Sequence, residues 1–449
     1  MPKLFGTDGI RGIANQEPIT PEMGFKVGRA VVNYFQEGGD QAKIAIGRDT
    51  RESGTMLERA VVSGIHSLGA DAIVVGELPT PGVAFITREI GADGGIMISA
   101  SHNPYEYNGF KIFSGEGYKL SDEMESEIEV YIFEDTRGTP PGDRLDSAGR
   151  KNKDKALERY ISFLKQTLPK KVAFKGMKIV LDCANGATYR LAPALFEQMG
   201  AKVESLFVNP DGKNINHRCG SQYPEALSAR VVEAGAELGF AFDGDGDRLV
   251  AVDEKGGVLT GDQVLIICAK TLKDRGELTK NLIVSTVMSN MGFRMALKDF
   301  GIEHAATKVG DRYVLEVMKA REAILGGENS GHVIFLRHHT TGDGLLSSLQ
   351  LLSAIKMSGQ TLSQLSTLMT IFPQAMINVP VKSQPEISSV PELVELLQKV
   401  ETRLSERGRV LVRYSGTEPV CRIMVEGEKQ EEIDAYALQI SDVVRQELG

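Results

Sequence analysis

Cysteine is scarce in this chain of 449 residues. The four that occur, Cys183, Cys219, Cys268 and Cys421, stand far apart, with no Cys-x-x-Cys and no cluster. Neither a disulfide framework nor a zinc site is indicated, and a reducing, cytoplasmic setting is expected. Long apolar runs are also missing: none approaches the roughly 20 residues of a membrane span, so no membrane partner is expected. The opening Met1-Pro2-Lys3-Leu4-Phe5-Gly6 has no charged stretch followed by an apolar one, and no leader peptide is expected from it. Basic runs and aromatic-interleaved basic patches are absent and the formal net charge is −9, which argues against nucleic acid as a partner. An anionic substrate would need a local basic pocket within an acidic protein.

What is present is ordinary globular composition, 42% hydrophobic and 25% charged, in a chain too long for one core. One local pattern recurs: a short apolar strand, a Gly- or Asp-containing turn, then a helical stretch. It is seen at Lys43–Gly47 before Arg48-Asp49-Thr50-Arg51, at Lys178–Leu181 before Asp182-Cys183-Ala184-Asn185-Gly186, and at Asn281–Val287 before Ser289-Asn290-Met291-Gly292. Strands alternating with helices predict α/β layers, with ligands at polar loops on strand ends. Glu134–Lys155, with Gly138-Thr139-Pro140-Pro141-Gly142, reads as a linker, as does Ile371–Gln374 around Pro373. The piece beyond has a strand near Ala375–Val381, an amphipathic helix over Pro391–Leu404 and a strand–turn–strand over Arg409–Glu426.

Four loops carry chemistry. Ser101-His102-Asn103-Pro104 follows the apolar strand Gly95–Ile98, which sets a hydroxyl at a sheet edge. A serine there needs a base or preorganised electrostatics to act, and on its own the stretch is equally an ordinary turn. Asp243-Gly244-Asp245-Gly246-Asp247-Arg248 lies between the apolar strands Leu238–Phe242 and Leu249–Val252. Three alternating carboxylates on one turn repel one another unless a cation neutralises them, and hard oxygen ligands suit magnesium or calcium. Glu254 falls at the twelfth place of an EF-hand count, but Arg248 occupies the place that needs glycine and both flanks read as strands. Gly326-Gly327-Glu328-Asn329-Ser330-Gly331-His332 can bring backbone close to a ligand while Glu328 and Ser330 bracket hydroxyls; a polar turn without a ligand fits it too. Arg413-Tyr414-Ser415-Gly416-Thr417-Glu418-Pro419, with Arg422 beyond, offers a guanidinium fork, hydroxyls and free backbone N–H groups, either a phosphate nest or a charged hairpin turn. It lacks Walker spacing. Further basic candidates are Arg11, Arg48, Arg51, Lys308 and Arg312, each in or near a glycine-containing turn.

The loops follow one another as serine, metal, sugar and phosphate loop. In that order and spacing the chain resembles the α-D-phosphohexomutase superfamily over essentially its whole length. Within it, Phe5-Gly6-Thr7-Asp8-Gly9-Ile10-Arg11-Gly12, Lys308-Val309-Gly310-Asp311-Arg312 and Ser415-Gly416-Thr417-Glu418-Pro419 resemble the phosphoglucosamine mutase branch. The phosphomannomutase/phosphoglucomutase branch usually opens with Tyr-Asp-Ile-Arg-Gly and carries asparagine where Gly416 stands. Asn329 and Tyr414 depart from the branch pattern, without removing a residue of implied function.

The resemblance implies an α/β chain with a four-domain heart-shaped phosphohexomutase architecture: three related α/β domains over residues 1–153, 154–255 and 256–370, and a smaller C-terminal α+β domain over 371–449. It implies that Ser101 carries a phosphoryl group and, with Asp243, Asp245 and Asp247, holds one Mg2+ per subunit. Arg11, His102, Lys111 and Arg248 fall at active-site positions. Glu328, Ser330 and His332 fall at sugar contacts, and Arg413, Ser415, Gly416, Thr417, Lys308 and Arg312 at phosphate contacts. The implied reaction interconverts glucosamine 6-phosphate and glucosamine 1-phosphate, with glucosamine 1,6-bisphosphate as intermediate and activator. A hexosamine phosphate is the expected partner, and a homodimer is what the family suggests. A phosphomannomutase or phosphoglucomutase is the alternative. A non-catalytic sugar-phosphate-binding protein is a third, whose mark would be loss of Ser101 or an aspartate; all are present.

Overall fold

A computed structural model describes residues 4–6, 8–36, 41–135, 149–169, 173–415 and 419–449, and side chains in the helix Gly149–Gln166 from residue 155 on. The chain divides into two compact units, Met1–Met288 with Ile302–Leu368, and Ser289–Gly301 with Met369–Gly449.

The first unit contains three sheets. The first is built from β1 (Ile10–Ile13), β2 (Lys43–Arg48), β3 (Asp71–Glu77), β4 (Gly94–Ile98) and β5 (Tyr107–Ser114), in the order β1-β5-β4-β2-β3. The second has β6 (Lys178–Asp182), β7 (Lys202–Leu206), β8 (Leu238–Phe242), β9 (Leu249–Asp253) and β10 (Val258–Leu259), in the order β10-β9-β8-β6-β7. The third has β11 (Leu282–Thr286), β12 (Glu303–Thr307), β13 (Leu325–Gly327) and β14 (Val333–Phe335), in the order β12-β11-β13-β14.

One topology is repeated three times. In each sheet two parallel strands are followed by a third parallel strand that pairs with the first, and a fourth strand then returns antiparallel beside the third. The chain therefore contains three related α/β domains. The third strands are apolar and buried throughout: Gly94–Ile98, Leu238–Phe242 and Leu325–Gly327. Such runs suit parallel strands covered on both faces. Edge strands β1 and β10 extend the first two sheets, and Arg11 on β1 comes to lie opposite Gly109 on β5. What makes Ile10–Ile13 a strand, beside the glycine-containing turn expected near Arg11, is partnership with a segment almost 100 residues away, which no local pattern reports.

Local signals set the helix starts. Thr20 accepts the Met23 N–H ahead of Pro21, Thr260 and Gln263 form a reciprocal capping box, and Asp343 accepts the Leu346 N–H at 2.9 Å. The helix Gly149–Gln166 begins inside the stretch read as a linker, and the expected boundary at 153/154 falls within it. The rest of that stretch, 136–148, lies outside the described residues.

In the second unit β15 (Gln374–Pro380), β16 (Gly408–Tyr414) and β17 (Val420–Gly427) form an antiparallel sheet in the order β15-β17-β16. Val379, Cys421, Ile423 and Val425 from the strands pack with Leu393 and Val400 of the helix Pro391–Leu404 and with Ile433, Ile440 and Val444 of the helix Gln430–Leu448. It is the smaller α+β domain expected.

His339 follows β14 and is buried, its Nε2–H donating to Pro81 O at 2.8 Å while Nδ1 accepts the Thr340 N–H at 2.7 Å. Burial lowers its pKa to about 3. The folded value lies below the unfolded value of about 6.5, so its contribution to stability is intact above that pH and is lost progressively as pH falls toward 3. At pH 5 the loss is about 2 kcal/mol. We expect thermal melts of His339→Asn to fall less between pH 7 and pH 5 than those of the unsubstituted protein; parallel curves would remove this role.

Candidate active site

The hairpin connection between third and fourth strand recurs in every sheet of the first unit, and the three singled-out loops occupy it. Ser101 lies between β4 and β5, Asp243–Arg248 between β8 and β9, and Glu328–His332 between β13 and β14. They converge. Leu249 N–H donates to Gly331 O at 3.0 Å, and Arg248 and His332 form an isolated antiparallel bridge. A Cβ on Gly331 (φ +92°) would stand 2.1 Å from Leu249 O, so the approach needs glycine twice over.

Ser101 is buried, with a left-handed backbone (φ +52°) uncommon for serine. Its Oγ–H donates to Asp243 Oδ2 at 2.6 Å, and His102 Nδ1 is 3.3 Å from Ser101 Oγ. Burial, with Arg248 and Arg11 nearby, lowers the His102 pKa to about 4, so the ring is neutral near pH 7. Asp243, Asp245 and Asp247 are all buried, with one oxygen from each within 4.8 Å of the others. Burial and the neighbouring Asp247 and Asp245 push the Asp243 carboxyl well above the usual range. Burial also acts against ionised Asp247, but Lys111, His332 and Arg248 bring it well below the usual range.

Lys111 on β5 is buried with its Nζ 2.7 Å from Asp245 Oδ2, 3.2 Å from Asp247 Oδ2 and 3.0 Å from Asp8 Oδ2. Asp245 Oδ1 and Asp247 Oδ1 are nevertheless buried without a hydrogen-bond partner. Two orphaned carboxylate oxygens beside Asp243 fit a hard divalent cation, since a buried anionic oxygen without donor or ion is costly. Glu254 is not part of this cluster; it accepts from Ser363 Oγ at 2.5 Å, which removes the EF-hand reading.

On the sugar loop Glu328 Oε1 accepts the Gly310 N–H at 3.0 Å, and burial raises its pKa. Ser330 is exposed. His332 is buried with neither ring nitrogen hydrogen-bonded, its Nε2 3.4 Å from Asp311 Oδ2 and 4.0 Å from Asp247 Oδ2. Arg11 pairs with Asp8 and reaches Ala100 O at 3.5 Å. An open groove of about 670 Å³ runs along the serine loop, lined by His102, Tyr105, Lys213, Asn216, Arg218 and Tyr223 among others.

Several basic candidates are otherwise engaged. Arg312 makes two bonds to Glu125, at 2.9 and 2.8 Å, and pairs with Asp122. Arg48 pairs with Glu77 at 3.0 Å, and Arg51 turns inward. Lys308 is exposed, 5.8 Å above the Tyr313 ring. Three residues without an assigned part in the sequence reading complete the charge pattern. Asp8 accepts Lys119 Nζ at 2.6 Å, and Lys119 reaches Asp311 at 2.5 Å. Asp8 and Asp311 lie within the Phe5–Gly12 and Lys308–Arg312 stretches, whereas nothing local marks Lys119.

In the second unit the fourth loop again joins two antiparallel strands, β16 and β17. Arg413 and Arg422 face each other directly across them, and Arg422 Nη2 donates to Ser415 Oγ at 3.2 Å. Burial and Arg422 lower the Arg413 pKa. Two guanidinium groups and the Ser415 hydroxyl gathered on one hairpin are donors of the kind that suits a phosphate. Gly416 and Thr417 lie outside the described residues.

Family models agree with the fold in all four parts. The descriptions are Phosphoglucomutase/phosphomannomutase alpha/beta/alpha domain I for residues 2–138, domain II for 158–257, domain III for 260–372 and C-terminal domain for 376–443. Phosphoglucosamine mutase from Syntrophus aciditrophicus is 57% identical over 451 residues, and that from Syntrophobacter fumaroxidans 54%, each covering 100% of both chains. Among solved structures, a phosphoglucomutase/phosphomannomutase family protein from Burkholderia thailandensis has TM-score 0.79 at 23% identity, covering 99% of this chain and 97% of that one. N-acetylphosphoglucosamine mutase from Aspergillus fumigatus, in complex with GlcNAc-6P and magnesium, has TM-score 0.67 at 16% identity, covering 99% and 95%.

Lys111→Met would leave two ionised aspartates without their nearest cation. Breaking such a buried pair costs about 3–5 kcal/mol. We expect the EDTA-treated variant to melt well below EDTA-treated wild type and to recover most of the difference on adding Mg2+ or Mn2+. A melt unaffected by divalent cation would remove the carboxylate cluster as a metal site.

Proposed function

Because the chain belongs to the phosphoglucomutase/phosphomannomutase family, we propose that it is a phosphoglucosamine mutase, an isomerase that interconverts glucosamine 6-phosphate and glucosamine 1-phosphate to supply amino-sugar nucleotide synthesis in the cytoplasm. The observation that carries the reading is Ser101 Oγ held 2.6 Å from one of three clustered, buried aspartates. That geometry supports a serine that carries a phosphoryl group beside a divalent cation.

In this reading phosphorylated Ser101 donates its phosphoryl group to a free sugar hydroxyl. The P–Oγ bond breaks and Oγ takes up a proton, a P–O bond to the sugar forms, and the hydroxyl proton passes to a basic side chain at the site. The product is a bisphosphorylated sugar, which turns end over end; its other phosphoryl group returns to Ser101, whose Oγ–H gives up its proton, and the leaving sugar oxygen takes a proton. Asp243, Asp245 and Asp247 would hold Mg2+, which supplies charge neutralisation of the transferring group. Arg11, Lys111 and Arg248 concentrate positive charge on the same side, and neutral His102 stands where it can exchange a proton with Ser101 Oγ. Glu328, Ser330 and His332 serve the sugar hydroxyls. Arg413 and Ser415, with Gly416 and Thr417, take the phosphate that is not reacting; a nest of generic anion donors suits a sugar that presents either end. Assembly as a homodimer belongs to the same proposal and is read by light scattering.

Intact-mass analysis should find one phosphate on part of the purified protein, absent from Ser101→Ala, and that variant should lose mutase turnover. Near-normal turnover in Ser101→Ala would end the mechanism. EDTA should abolish turnover and Mg2+ restore it best, with Asp245→Ala slower by about 100-fold or more. Arg413→Ala should weaken mono- and bisphosphorylated sugars together.

Substrate choice is tested by kcat/KM for glucosamine, glucose and mannose 6-phosphates, each with its own bisphosphate. No residue identifies itself as the dedicated partner of the C2 amine, and a site without one discriminates weakly. Glucosamine 6-phosphate should be best, with measurable activity on glucose 6-phosphate and less on mannose 6-phosphate. A clear preference for either neutral sugar would move the protein to the phosphomannomutase/phosphoglucomutase branch.

A further inference from the structure

Phosphorylation of Ser101 removes the hydrogen bond that holds its side chain. Free Ser101 Oγ donates its proton to Asp243 Oδ2. Phosphorylated Oγ has no proton to donate to that carboxylate. The hydrogen bonds of the Ser101 backbone do not involve Oγ, so they are available in both states.

The backbone of Ser101 is held on both sides. Its N–H donates to Ser99 Oγ at 2.9 Å, and Ser99 Oγ–H donates to Asp49 Oδ2 at 2.6 Å. Its carbonyl accepts from Arg51 Nη2 at 2.9 Å and from Asn216 Nδ2 at 2.9 Å. The same two donors also meet at Asn103 O, at 2.9 Å from Arg51 and 3.1 Å from Asn216.

Arg51 is 1% exposed and uses every N–H it has. Its Nε pairs with Asp49 Oδ2 at 2.8 Å, and its four remaining protons go to the carbonyls of Ser101, Asn103, Pro104 and Tyr107. The guanidinium is thus the template on which residues 101–107 are folded. Asn216 comes from the second domain and is itself left-handed (φ +57°), a conformation asparagine tolerates better than most residues. A Cβ on Gly244 of the aspartate turn would stand 2.6 Å from Ser101 O and 2.7 Å from Asn216 Nδ2, so the two loops meet at this clamp.

We propose that Arg51 and Asn216 are positioning residues that hold the strained Ser101 backbone in register with the aspartate turn in both the free and the phosphorylated enzyme. The proposal rests on the mutase reading. Neither residue touches the reacting atoms; both act through the Ser101 carbonyl.

Arg51→Ala risks misfolding, so the test uses Asn216→Gly, which keeps the left-handed backbone, and Asn216→Asp, which keeps the shape but removes the donor. Arg51→Lys keeps the charge but not the five-donor fork. Turnover is normalised to the phosphorylated fraction measured by intact mass, with Mg2+ and glucosamine 1,6-bisphosphate supplied. Both Asn216 variants should lose about 10- to 100-fold in kcat with KM changed by less than about twofold, because a small misplacement of the nucleophile slows transfer without removing substrate contacts. The double variant Asn216→Gly/Arg51→Lys should be non-additive, since both donors act on the same two carbonyls. Ser228→Ala, which removes a hydrogen bond to Gly256 O elsewhere in the second domain, serves as the stability control. Asn216 variants with kcat within about threefold of wild type would overturn the proposal, as would a loss no greater than that of Ser228→Ala. A wild-type protein without mutase turnover would instead overturn the function on which the proposal rests.

Discussion

Three carboxylates buried within 4.8 Å of one another are the constraint around which the first unit is arranged. At an effective dielectric near 20, two unit charges 4 Å apart still interact by about 4 kcal/mol. A turn carrying three such groups out of water is untenable alone. Relief comes from every domain of the unit. Lys111 arrives from β5, Arg248 from the turn itself, and His332 from the third sheet's hairpin. Further out, charge alternates through Asp8, Lys119 and Asp311. What remains without a partner, Asp245 Oδ1 and Asp247 Oδ1, suits a divalent cation.

The threefold repetition of one topology explains how distant segments serve one centre. In each sheet an antiparallel return strand follows the third strand, and the connection between the two carries polar residues at the sheet's end. Functional residues therefore sit at equivalent places in three domains, on short connections anchored at both ends by buried strands. Each position is fixed by the sheet, while the loop chemistry differs: a hydroxyl, a carboxylate set, a carboxylate with an imidazole. The antiparallel sheet of the second unit has its basic residues at a hairpin of the same kind, flanked by the facing Arg413 and Arg422.

Burial changes what the basic residues can do. Arg51, Arg48 and Arg312 read alike as cations in glycine-containing turns. Folded, Arg51 has no donor left for a ligand, and Arg48 and Arg312 have carboxylate partners. Lys308, a fourth such cation, is exposed. The distinction depends on which carbonyls and carboxylates are brought within about 3 Å, the reach of a hydrogen bond.

The α/β class, most strand positions and the residue make-up of the four loops are legible in the sequence. These are local properties: apolar runs of strand length, turn-forming glycines, and carboxylates at alternate places that repel wherever they are put. Only the tertiary structure decided that Ile10–Ile13 would be a strand, that a helix would start at Gly149, and that Asp8, Lys119 and Asp311 would join the charge pattern. It also brought Arg51 and Asn216 together at the carbonyls of Ser101 and Asn103. Those outcomes depend on segments far apart in the chain meeting at hydrogen-bond distance, as with Arg51 and Ser101 or Asn216 and Ser101. Short-range sequence pattern has no access to them, because the partner's identity and approach are set by the packing of whole sheets.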